Sequence, residues 1–69
     1  MNGFDAMSDG DLILCVNLLH ADARYYEQMS DAPEHQTILR ERAADRRALA
    51  ARMKAEVDRR GALRCSQAA

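Results

Sequence analysis

Apolar residues in the first third of the chain recur at steps of three and four, which is the spacing of one face of an α-helix. Ser8 or Asp9 suits the N-cap of such a helix, and Asp11 suits its positive end. The pattern therefore predicts a helix over about residues 9–30. Its apolar positions include Leu12, Cys15, Val16, Leu19, Ala23, Tyr26 and Met29.

A break at residues 30–33 separates this helix from a second one. Pro33 is tolerated in the first turn of a helix, and the pair Asp31 and Glu34 has the offset of a capping box. Beyond the break the chain is rich in alanine, arginine and glutamate, which are strong helix formers. Gly61 is typical of a helix C-cap. We therefore predict a second helix over about 33–60 and a frayed tail over 61–69.

A connection this short forces two helices to lie antiparallel. The predicted fold is all-α, a single helical-hairpin domain over residues 1–69.

The apolar arc of the first helix is too wide for one neighbour. It spans roughly 200°, whereas a stripe of roughly 100° suffices to pack against one helix. A second molecule would cover the remainder, since large exposed apolar patches mark interaction sites. We therefore expect a homodimer in which two hairpins form a four-helix bundle. The candidate interface residues are Leu12, Leu14, Leu18, Leu19, Tyr25, Tyr26 and Met29.

Three charged residues lie inside the apolar arcs. Asp22 lies within that of the first helix, and Arg42 and Arg46 lie within that of the second. Folding the hairpin about residue 32 puts Asp22 opposite position 42, so we expect a pair with Arg42 or with Arg46. The alternative is that the arginine stems are buried while their charged ends reach water.

Charge is divided along the chain although the net charge is only −1. Residues 1–36 are mostly acidic and residues 37–60 mostly basic. One interpretation is attraction between the two helices of the hairpin. The other is a cationic docking surface, because Arg40, Arg47 and Lys54 follow one line at steps of seven. The sequence argues against nucleic acid as a partner, since the second helix has no aromatic residue on which bases could stack.

Few residues have the arrangement that catalysis or cofactor binding requires. Cys15 and Cys65 lack metal-ligand spacing, and the three glycines are isolated, so no phosphate loop is present. His20 and His35 are expected at the surface. No segment has the form of a signal peptide or a membrane span, so we expect a cytoplasmic protein without enzymatic activity or cofactor.

The Pro33-Glu34 turn, Ile38-Leu39 and the Ala- and Arg-rich stretch 41–53 are similar to the second helix of small ferritin-like hairpin proteins. The resemblance covers residues 20–57. It implies a metal site built from Glu27, Glu41 and Asp45 of two chains, although the metal-ligand histidine of those families is missing.

These observations favour a non-enzymatic interaction module. We expect a regulator or inhibitor that, as a homodimer, covers a surface of another, unidentified protein. The alternatives are a ferritin-like metal-binding protein and, third, a hairpin that binds nucleic acid.

Overall fold

The protein folds as two helices packed against each other in a hairpin. The structure, a computed structural model, describes residues 3–29 and 33–68, where α1 spans Asp9–Gln28 and α2 spans Pro33–Ala68. Asp9 at the start of α1 contacts Arg60, whereas Glu27 near its end contacts Arg47, so the helices are antiparallel. The predicted all-α two-helix fold is confirmed. The predicted turn lies largely on residues 30–32, outside the described residues.

Ser8 caps the start of α1, and the backbone of Met29 marks its end. The Ser8 hydroxyl accepts a hydrogen bond from the Asp11 amide at 3.1 Å, which satisfies one of the free N–H groups of the first turn. At the other end, Met29 leaves the helical conformation with ψ of 93°. The helix thus begins where the sequence predicts and ends at Gln28, two residues early.

The helices meet along a seam of positions spaced alternately three and four residues apart, as in a left-handed coiled coil. Small residues dominate its buried centre, since Ala23, Ala43 and Ala50 are almost fully covered. Leu12 is the large side chain with the least exposure. The buried and half-buried seam positions are Leu12, Val16, Leu19, Ala23 and Tyr26 on α1, and Leu39, Ala43, Arg46, Ala50, Met53, Val57 and Arg60 on α2.

The register of the seam differs from the predicted one by a helical turn. Asp22 lies opposite Arg46 instead of position 42. Because α1 ends early, the first turn of α2 extends beyond it, and Met29 lies beside Ile38 and Leu39. Each residue of α1 therefore faces a position about four residues further along α2 than a fold about residue 32 implies.

The prediction that α2 ends at Gly61 is wrong. The helix continues through Gly61 to Ala68, and no described glycine has a positive φ. Ala62, Leu63 and Arg64 are good helix formers. Arg64 also forms an ion pair with Asp9, which fixes this part of α2 against the start of α1. Residues 61–68 are thus part of the helix and not a frayed tail.

Gly61 provides a test of this helix end. A β-carbon added there meets nothing within 4 Å. We expect Gly61→Ala to stabilise the protein by roughly 0.5–1 kcal/mol, because glycine loses more backbone entropy than alanine in a helix interior. If Gly61 were a C-cap in the left-handed conformation, the same change would destabilise the protein. Urea unfolding followed by circular dichroism gives the sign, with Ala62→Gly as the reverse control.

Candidate interaction surface

Three large apolar side chains of α1 are open to solvent. Leu14 is 57% exposed, Leu18 59% and Tyr25 59%. With the exposed Ala21 they follow spacings of four, three and four, and we call these four residues the α1 row. Each lies two positions, or about 200°, beyond a seam residue. The row therefore lies on the side of α1 that faces away from α2.

The predicted interface residues divide between this row and the seam. Leu14, Leu18 and Tyr25 belong to the row, and Met29 is exposed at the end of α1. Leu12 was wrongly expected at an interface between molecules, because it is completely buried against α2 within one chain. Two further members of the predicted set, Leu19 and Tyr26, are half-buried in the seam.

The candidate set omitted two exposed isoleucines. Ile13 and Ile38 are both about half exposed. Ile38 joins Met29, His35 and Leu39 around a shallow hollow of about 200 Å³ at the turn end of the hairpin. The apolar residues at the end of α1 and near the start of α2 are visible in the sequence. That they lie side by side depends on the register of the seam, which the sequence does not give.

Asp22 pairs with Arg46, one of the two partners that the sequence left open. Arg46 Nε donates to Asp22 Oδ2 at 3.0 Å, and the guanidinium lies 5.8 Å from the centre of the Tyr26 ring. The hydrogen bond to Asp22 is the main cause that raises the pKa of Arg46. The two side chains keep 36% and 43% exposure. The predicted pair thus forms while partly exposed to solvent, and it contributes as little to stability as other solvent-screened pairs. Arg42 is exposed.

Two cations of the predicted docking line are used inside the hairpin. Arg47 donates to both carboxylate oxygens of Glu27, at 2.6 and 2.5 Å. Lys54 pairs with Asp58 one turn along α2 at 3.1 Å. Arg40 is exposed. The Arg47–Glu27 pair thus serves attraction between the two helices, whereas Lys54 pairs within α2, and both pairs weaken the case for a cationic docking surface.

The three carboxylates of the ferritin-like expectation do not converge. Arg47 occupies Glu27 and lowers its pKa through the hydrogen bonds. Glu41 and Asp45 are exposed and lie on the side of α2 away from the seam. Over residues 3–29 and 33–68, the structure forms no cluster of three or more His, Cys, Asp or Glu side chains suited to a metal ion.

A charged cluster at the open end of the hairpin holds residues 3–8, which we call the N-terminal turn. The guanidinium of Arg60 donates to the carbonyl oxygens of Phe4 at 2.9 Å and Met7 at 2.6 Å. It also donates to Asp9 Oδ1 at 3.0 Å and to Glu56 Oε1 at 2.9 Å. The planar fork of arginine lets one side chain join four groups from three segments.

Glu56 is the buried member of this cluster. Its side chain is only 2% exposed, and Arg59 donates to both of its oxygens at 2.8 and 2.5 Å. Arg52, one turn earlier on α2, lies 5.7 Å from the centre of the Phe4 ring. The N-terminal turn is thus seated on one face of α2. The spacing of Arg59 and Arg60 from Glu56 suits ion pairs within one helix. The seat itself depends on contacts between α2 and the distant N-terminal turn, which no local pattern in the sequence indicates.

Comparisons with known proteins give no relative for this chain: no family model matches it, and neither the curated proteins nor the solved structures contain a significant match. Across the described helices, no stretch combines the length and the hydropathy that crossing a membrane requires.

We expect Arg60→Met to release the N-terminal turn, because the change removes the donors to Phe4 and Met7 and leaves buried Glu56 with fewer partners. The Met7 amide, which donates to the Phe4 carbonyl at 2.9 Å, should exchange its hydrogen at least about tenfold faster. The melting temperature should fall. Arg42→Met is the matched control, since Arg42 is an exposed arginine of the same helix. Equal exchange in the two variants would contradict the role of Arg60.

Acid should loosen the same cluster. Hydrogen bonds from Arg64 and then Arg60 hold the pKa of Asp9 below its ordinary value of 3.8. A lowered folded-state pKa stabilises the protein above the ordinary value, and this stabilisation is lost as the pH falls through the lowered pKa. We expect Asp9→Asn to melt below wild type at about pH 6 and close to it at about pH 2. Thermal melts over this pH range measure the difference in melting temperature between Asp9→Asn and wild type, and the exposed Asp45→Asn is the control. A difference that does not change with pH would contradict the stabilising role of ionised Asp9.

Proposed function

We propose that this protein is a small, non-enzymatic interaction module that works as a homodimer and covers a surface of another protein as a regulator or inhibitor. The observation that carries the proposal is the α1 row. Leu14, Leu18 and Tyr25 lie in line on a helix whose opposite side is already packed against α2. Contiguous exposed apolar side chains of this kind mark interaction sites.

The surface area of the chain supports a partner. The accessible surface is 5151 Å², whereas a compact monomer of this mass exposes about 4,300 Å². The molecule is elongated, with extents of 54 × 20 × 18 Å. The excess is about the 800 Å² that each partner buries in a standard interface.

The thin core supports the same conclusion. Leu12 is the one large described side chain that the hairpin buries completely, and the other fully covered seam residues are alanines. Burying a leucine side chain contributes about 1.5–3 kcal/mol. Covering the α1 row in a dimer would therefore add the apolar burial of three large side chains to that of the seam.

A dimer formed through the α1 row would leave the hollow of Met29, His35, Ile38 and Leu39 open. An apolar hollow between two helices suits an amphipathic helix of a target protein, which it would occlude. Both cysteines are free, as is usual for proteins of the cytoplasm, where we place this activity.

The proposal predicts that Leu18→Glu separates the dimer. Because the change occurs twice in a symmetric interface, we expect the dissociation constant to rise at least about a hundredfold. Leu18 is exposed in the single chain, so the hairpin should retain its helical circular dichroism. Native mass spectrometry over a concentration series gives the dissociation constant.

Leu63→Glu is the matched control, because Leu63 is 48% exposed but lies on α2 outside the row. It should dimerise as wild type does. A wild-type protein that stays monomeric at high micromolar concentration would contradict the homodimer. For the target, Ile38→Glu should abolish specific capture of a protein from source lysate, whereas Leu63→Glu should preserve it.

A further inference from the structure

The spacing of the α1 row is that of a coiled-coil seam, so its best partner is another helix with the same spacing. We infer that this partner is α1 of a second copy, lying antiparallel to the first, with the two α2 helices on the outside. The inference rests on the proposed homodimer and specifies its geometry.

Side-chain size favours the antiparallel arrangement. A twofold axis between positions 19 and 20 sets Leu18 against Ala21 of the second copy, and Leu14 against Tyr25 of the second copy. Each large residue of the central layers then meets a small one, as interdigitated packing requires. A parallel arrangement would set Ala21 against Ala21 and leave a gap between two bulkier layers.

Charge favours it as well. The first turn of α1 carries Asp9 and Asp11, and its last turn carries no basic residue. Antiparallel pairing in the same register sets Asp11 against Gln28 of the second copy, whose amide can donate to the carboxylate. Parallel pairing would bring Asp11 against Asp11 and align the helix dipoles, and both effects are repulsive.

The direction of the row determines the order of the helices. Its four residues centre about 150° around α1 from the seam, whereas a square bundle needs its two contact faces about 90° apart. The dimer is therefore a layer in the order α2, α1, α1, α2. Such a layer differs from a square four-helix bundle, although it consists of the two hairpins that the sequence predicts.

Spin labels test the arrangement in the full chain. In a Cys15→Ala, Cys65→Ser background shown to dimerise, a nitroxide is attached at Gln28→Cys or at Asn17→Cys. At 1.5 Å rise per residue, the antiparallel axis puts the two Gln28 positions about 27 Å apart and the two Asn17 positions within about 13 Å. Pulsed dipolar spectroscopy should give the long distance, and the Asn17 label should show strong dipolar broadening.

Each other result has a distinct meaning. Two short distances would show a parallel pair and overturn the inference while the homodimer stands. Long distances from both labels would show that the α1 helices do not meet, and would also overturn it. A background protein that remains monomeric, together with monomeric wild type, would remove the proposed function itself.

Discussion

Close packing of small side chains along the seam is the constraint from which the other features of this hairpin follow. Ala23, Ala43 and Ala50 let the two backbones approach, but alanines bury little apolar surface. Two helices joined in this way hold each other in register without forming a substantial core. The chain therefore needs further contacts, and it obtains them from charges at the seam edges and from apolar residues outside the seam.

The charges act near both ends of the seam. Near the turn end, Arg47 and Arg46 reach from α2 to Glu27 and Asp22 on α1. At the open end, Arg60 joins the N-terminal turn, the start of α1 and buried Glu56. These arginines and Lys54 are occupied by carboxylates of the same chain, whereas Leu14, Leu18 and Tyr25 of the α1 row are exposed. This distribution supports recognition through apolar contact over recognition through charge.

The α1 row and the N-terminal turn lie on different parts of the hairpin. The turn is seated on α2 at Arg52, Glu56 and Arg60, whereas the row lies on the far side of α1. A second copy on the row would therefore leave the N-terminal turn and its charged cluster undisturbed. Dimer formation in the proposed geometry needs no rearrangement of the single chain.

The sequence alone determined the type and number of the helices, because apolar periodicity, the Ser8 cap and the alanine-rich stretch act locally. It also showed that the apolar arc of α1 is too wide for one neighbour. It did not show which part α2 covers: Leu12 and Leu14 are equally apolar, and only packing buries the first and exposes the second. The register of the two helices could not be predicted, because shifting α2 along α1 by one helical turn again places apolar positions opposite apolar positions.

Gly61 illustrates the same division between local and tertiary causes. Glycine is compatible with a helix end and with a helix interior, so its local preference did not decide the matter. In the structure α2 continues through Gly61, and the flanking Arg60 and Arg64 both bind Asp9 of α1. Those contacts join residues more than fifty positions apart, and interactions at such separation depend on how the two helices are packed.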